Sequence, residues 1–77
     1  MKIEVLGTGC PKCRKTEATI REVLKKLGLN AEVTEVTDID EIVGRGVMRT
    51  PAVFVDGVKV IEGKVPSEEE VMSFIKR

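Results

Sequence analysis

Apolar positions recur along this chain at two spacings, and each spacing marks a kind of element. In residues 2–6, Ile3 and Val5 fall on one side and Glu4 on the other, the period of two that belongs to a strand. Gly7, Thr8 and Gly9 interrupt it, and a helix opens at about Cys10, with Pro11 at the first helical position, where a missing N–H costs nothing. Ile20, Val23, Leu24 and Leu27 follow at i, i+3, i+4 and i+7 and make one apolar stripe, which Gly28 ends as a left-handed stop. Residues 29–36 read as a second strand with Ala31 and Val33 on one face, although the alternation is imperfect. Thr37 or Asp38 can cap a short helix through Ile39, Ile42 and Val43, with Gly44 at its end, and residues 44–50 then form a loop.

The strongest local signal comes next. Residues 52–55 (Ala-Val-Phe-Val) and 58–61 (Val-Lys-Val-Ile) are separated only by Asp56-Gly57, a preferred two-residue hairpin turn. A last helix follows Pro66: Ser67 and Glu70 make a capping box, Glu68 and Glu69 add charge at the positive end of the helix dipole, and Val71, Phe74 and Ile75 form the apolar stripe. Lys76 and Arg77 suit its negative end. The order β-α-β-α-β-β-α predicts an α/β fold with a four-stranded mixed sheet and helices on both faces. Its first crossover should be right-handed and give a parallel pair, and the late hairpin an antiparallel edge. With 77 residues there is room for one hydrophobic core, hence a single domain over residues 1–77.

Composition narrows the function. Thirteen basic and thirteen acidic residues cancel, which leaves no electrostatic case for nucleic acid or an anionic membrane. Apolar runs are too short to cross a bilayer, and the N-terminus lacks a segment of signal-peptide length, so a cytoplasmic monomer is the expectation. In a reducing compartment a single cysteine pair is a poor permanent staple; it cycles or binds metal.

The pair is Cys10 and Cys13, spaced C-x-x-C where the first strand gives way to the first helix. A helix N-terminus or nearby cations can lower a cysteine pKa to about 3.5–7.5. Cys10 is placed to gain from the unpaired N–H groups of the first turn, with Lys12, Arg14 and Lys15 adding positive charge. Cys13, one turn in, should be less accessible. Cys10 is therefore the expected nucleophile and Cys13 the resolving thiol of a disulfide exchange. Two small core residues that happen to lie close are the plain alternative. A zinc site needs four ligands, and the chain has two cysteines and no histidine, which leaves only a site shared between subunits. Two thiolates can hold Cu(I), however, and the heavy-metal-associated domains also carry C-x-x-C after their first strand. Those domains usually have Met two residues before the first cysteine, where this chain has Thr8, and they run β-α-β-β-α-β, ending in a strand.

Cys10-Pro11-Lys12-Cys13, together with Thr50-Pro51 before a hairpin, resembles the thioredoxin and glutaredoxin superfamily, in particular its minimal redox-active disulfide proteins. The likeness extends over nearly the whole chain. It implies a thioredoxin-like fold, thiol–disulfide oxidoreductase activity on protein or small-molecule disulfides, a disulfide-containing protein and an upstream reductase as partners, and no cofactor beyond the Cys10–Cys13 disulfide. It also implies that Pro51 is the cis-proline beside the cysteines, that Thr50 contacts the substrate chain, and that Pro11 and Lys12 support the active site. A non-catalytic interaction domain on the same fold is the remaining alternative. Gly9 stands where thioredoxins usually have tryptophan and Lys12 where glutaredoxins commonly have tyrosine. The stretch Glu62-Gly63-Lys64-Val65-Pro66 lacks the residues that hold glutathione.

Other features are read more plainly. Glu4 lies six residues before Cys10, the offset at which thioredoxins keep a buried carboxylate for proton transfer, but an unpaired Glu is almost never fully buried, so it reads as solvated. Gly7-x-Gly9 lacks the third glycine of a nucleotide loop. Val47 and Met48 read as either a docking patch or loop packing, and Arg45 and Arg49 as solvated charges that could favour an acidic partner.

Overall fold

A computed structural model describes residues 1–75. The elements are β1 (Lys2–Leu6), α1 (Pro11–Leu27), β2 (Glu32–Val36), α2 (Ile39–Gly44), β3 (Ala52–Val55), β4 (Val58–Glu62) and α3 (Glu68–Ile75). The sheet order is β2-β1-β3-β4. β1 runs parallel to β2, with Lys2 opposite Glu32 and Leu6 opposite Val36, and antiparallel to β3, with Ile3 opposite Val55 and Leu6 opposite Ala52. This is the expected mixed four-stranded sheet. Its last described element is a helix, which separates it from the heavy-metal-associated order. No helix among the described residues is long and apolar enough to cross a membrane. Lys76 and Arg77, expected at the end of α3, lie outside the described residues.

The two faces of the sheet are covered unequally. Ile3 and Val5 of β1, Val53 of β3 and Ile61 of β4 pack beneath α1 (Ile20, Val23, Leu24) and α3 (Val71, Phe74, Ile75). The opposite face gathers a smaller cluster, Leu6, Val36, Ala52 and Phe54 from the strands with Ile42 of α2 and Val47 after it. One residue's shift along β1 turns a side chain from one cluster to the other, as the strand period demands.

Helix ends follow the local chemistry. Gly28 takes φ 66°, its N–H reaches the Lys25 carbonyl at 3.2 Å, and the Leu29 N–H reaches the Leu24 carbonyl at 3.0 Å, a Schellman closure. That closure uses Leu29, which is why β2 begins at Glu32 and not at the expected position 29. Asp38 caps α2, accepting from the Asp40 N–H at 2.8 Å. Gly44 is the last residue of α2, but the left-handed conformation falls on Gly46, at φ 79°. The Ser67–Glu70 capping box closes in both directions, at 3.2 and 3.1 Å. In the hairpin, Asp56 and Gly57 both take positive φ, 50° and 84°, as a type I′ turn requires. Val60 is an extra residue in β4, because Phe54 pairs with Lys59 while Val53 pairs with Ile61.

Candidate active site

The cysteines sit where β1 hands over to α1. Cys10 is the N-cap of α1, extended at φ −69° and ψ 164°, and Pro11 takes the first helical position. Both thiols are free, with the sulfurs 2.9 Å apart, well beyond a covalent S–S bond of about 2.05 Å. Cys10 is partly exposed, whereas Cys13 is 5% exposed.

That asymmetry drives their acidities apart. The hydrogen bond between the two sulfurs favours an ionised Cys10, and the backbone N–H groups of Cys13 and Lys12 add to it, so the Cys10 pKa falls below that of an ordinary cysteine. Burial raises the Cys13 pKa, and the hydrogen bond to the neighbouring sulfur raises it further. The outer sulfur is thus the one that loses its proton more readily.

Pro11 and Lys12 are exposed on the first turn of α1. Lys12 contributes its carbonyl as well, which accepts from the Thr16 hydroxyl at 2.8 Å. Thr50 is exposed and Pro51 is buried, and the peptide bond between them is cis, the isomer the family resemblance implies. The Pro51 carbonyl accepts from the Gly63 N–H at 2.8 Å, which ties the start of β3 to the end of β4. Gly7, Cys13 and Thr50 converge: a β-carbon built on Gly7 would meet both of the other side chains.

Residues 45–50 shape the neighbouring surface. Val47 is core, at 4% exposure, and Met48 is open to solvent, at 88%. An apolar groove of about 260 Å³ runs beside Thr8 and Thr50, walled by Ile39, Ile42, Val43, Val47 and Met48. A larger cleft of about 490 Å³ between β4 and α3 is lined by none of the cysteine-site residues. The loop is held from β4: a Glu62 carboxylate oxygen accepts from the Met48 and Arg49 N–H groups at 2.7 and 3.2 Å, and the other oxygen from Lys59 at 2.6 Å.

Glu4 departs from the sequence reading. It is 6% exposed, and its two oxygens accept from Arg45 at 2.8 and 2.7 Å. Arg45 also lies over the Phe54 ring, 5.5 Å from its centre. The Arg45 guanidinium holds the Glu4 carboxyl below the usual carboxylate range despite burial. Arg45 is therefore paired rather than free, and Glu4 is held as a charged acceptor. Nothing local in the sequence points to this partnership.

A sequence profile described as Thioredoxin domain matches residues 1–76. A thioredoxin of Methanocaldococcus jannaschii is 45% identical over 74 residues, covering 96% of this chain and 85% of its own. A thioredoxin of Methanothermobacter thermautotrophicus is 39% identical over 75 residues, covering 97% of both chains.

Proposed function

Since the chain belongs to the thioredoxin family and is a thiol–disulfide oxidoreductase, we propose that it acts as a protein-disulfide reductase in which Cys10 attacks and Cys13 resolves. The observation that carries this reading is the pair of sulfurs 2.9 Å apart with their acidities driven in opposite directions. The outer sulfur is the more acidic of the two and reaches solvent; the inner one holds its proton more tightly.

In the first step the Cys10 thiolate attacks one sulfur of the substrate disulfide. The S–S bond breaks, and the other substrate sulfur leaves as a thiolate and takes a proton. Bonding removes the negative charge from Cys10, so the Cys13 thiol is released from holding it. Cys13 gives up its proton to solvent and attacks the Cys10 sulfur, displacing the second substrate thiolate, which takes up a proton in turn. Two electrons have moved from the dithiol to the substrate, and the chain is left with a Cys10–Cys13 disulfide. That disulfide is the only redox group the cycle needs, and an upstream reductase must reopen it. No proton step is assigned to Glu4, whose two oxygens accept from Arg45.

A protein substrate is favoured over a small one by the groove beside Thr50. Ile39 and Val43 are each 63% exposed there and Met48 is 88% exposed, an apolar strip suited to an extended chain segment presenting its cysteine to Cys10. Thr50, next to the buried Pro51, is the residue placed to meet that segment. Pro11 and Lys12, exposed on the first turn of α1, are proposed as the supports of the cysteine pair.

Cys10→Ser should abolish reduction of a protein disulfide with the circular dichroism spectrum unchanged. Cys13→Ser should stop after the first step and accumulate the mixed disulfide. Val43→Glu and Met48→Glu should raise KM for a protein substrate while leaving attack on a small aromatic disulfide as it was. Persistent activity in Cys10→Ser would remove the mechanism, and equal losses on both substrates would remove the groove from it.

A further inference from the structure

Gly7 is buried just past the end of β1, its N–H donating to the Val36 carbonyl at 2.9 Å. It is absent from the glycines with positive φ, so its backbone conformation is open to any residue. What it lacks is room. A β-carbon at position 7 would fall well inside contact distance of the Cys13 sulfur, 3.2 Å from Cys13 Cβ and 3.8 Å from Thr50 Cβ. Gly9, Gly28, Gly44, Gly46 and Gly57 would meet nothing within 4 Å, and Gly63 would meet only the flexible side chain of Arg49. Among the glycines, Gly7 alone has its missing side chain replaced by a reacting atom.

We propose that Gly7 is a positioning residue for the second step of disulfide exchange: it leaves the notch in which the Cys13 sulfur is held against Cys10. The inference rests on the resolving role given to Cys13 above. In that step the Cys13 thiolate attacks the Cys10 sulfur of the mixed disulfide. The new Cys10–Cys13 bond forms as the bond from Cys10 to the substrate sulfur breaks, and that sulfur leaves with the electron pair and takes a proton. The displacement needs the attacking sulfur close and aligned with the bond it breaks.

Filling the notch moves that sulfur. α1 cannot back away as a body without opening the packing of its own Thr16, Ile20 and Val23, each 0% exposed. The Cys13 side chain must instead rotate to another staggered well, which carries its sulfur off the line to Cys10. A misplacement of about 1 Å can cost roughly 10²-fold in rate.

The test is the reaction of the reduced protein with one equivalent of the aromatic disulfide 5,5′-dithiobis(2-nitrobenzoate). The attack of Cys10 releases a first coloured thiolate, and resolution by Cys13 releases a second. For Gly7→Ala the second release should slow by roughly 10²-fold relative to the wild type, with the mixed disulfide visible by intact mass. A role in stability alone would not separate the two releases. A second release at the wild-type rate overturns the proposal. A wild-type protein that releases one thiolate removes the resolving role from Cys13, and the proposal with it.

Should Gly7→Ala fail to fold, Gly7→Ala/Cys13→Ala provides the reading. Without the sulfur, the remaining 3.2 Å approach of the two β-carbons needs a shift of only a few tenths of an ångström. The double variant should fold. Its unfolding constant should lie within roughly tenfold of that of Cys13→Ala alone, so that removing the sulfur restores the fold that Gly7→Ala loses. A double variant that stays unfolded also overturns it.

Discussion

At the scale of single residues, the Glu4–Arg45 pair shows how burial and charge are reconciled inside so small a molecule. A carboxylate at 6% exposure is tolerated because a bidentate guanidinium satisfies both of its oxygens. Arg45→Met keeps much of the side-chain length and removes the charge, which leaves Glu4 buried alone. We expect a loss of about 3 kcal/mol at neutral pH, as for other broken buried pairs, read by urea unfolding. The pH dependence should change sign as well. In the wild type the folded pKa of Glu4 is lowered, so its contribution is present above the ordinary Glu value and is lost as pH falls through the lowered one. In Arg45→Met burial is opposed only by the Lys2 charge, the smallest of the causes acting on Glu4, and the folded pKa rises. The Glu4 contribution should then be greatest below the ordinary Glu value and decline as pH rises through the raised one. A variant whose stability still falls on acidification between pH 6 and pH 4, on the order of the wild type, would contradict this account.

The same pair marks a limit of reading residues from sequence. Cys10, Cys13 and Pro51 are legible because each is part of a short pattern: a spacing, or a dipeptide ahead of a hairpin. Glu4 and Arg45 are 41 positions apart and meet only after the sheet and α2 are assembled. Gly7 was visible only as a strand breaker. Its tight contact with Cys13 is a matter of packing that no spacing encodes.

At the scale of elements, the pieces with their own chemistry were legible and those defined by neighbours were not. The hairpin turn, the Ser67–Glu70 box and the Gly28 stop all fall where their local sequence places them. The start of β2 was misplaced because Leu29 closes the preceding helix, and the edge position of the strand blurs its alternation. The bulge at Val60 has no local marker at all. Glu62 is the most consequential of these links, since it fastens residues 48–49 of the groove loop to β4. Lys59 and the Met48 N–H hold its carboxyl at a pKa of about 2. Its contribution is present above the ordinary Glu value and is lost as pH falls toward about 2, so the fastening persists through mild acid. Glu62→Ala should speed hydrogen exchange at the Met48 and Arg49 amides and raise KM for a protein disulfide, with a small disulfide unaffected. Unchanged exchange at both amides would show that the loop holds itself.

At the scale of the whole molecule, element order anticipated a mixed sheet, but not that β1 would lie between β2 and β3. That placement needs β1 covered on both faces, and Ile3, Val5 and Leu6 supply apolar side chains to both, at 2% exposure or less. The two cores then differ in depth. The face under α1 and α3 buries ten residues and the face under α2 six, so most of the burial energy lies on the first. Ile20→Ala, in the deeper core, should cost about 2–5 kcal/mol in chemical denaturation. Native-state hydrogen exchange should find the amides of β1 and β3 opening only with the global transition, and those of α2 at a lower free energy. Equal opening energies throughout would mean that the two cores melt as one.

The short α2 helix, capped by Asp38 and pinned chiefly through Ile42, also forms one bank of the channel beside Thr50. A bank moored so lightly can yield to incoming segments of different bulk, while the sulfurs stay anchored to the stiffer half of the molecule. In a protein-disulfide reductase, that arrangement assigns tolerance of client shape and exactness at the reacting atoms to opposite sides of a single sheet.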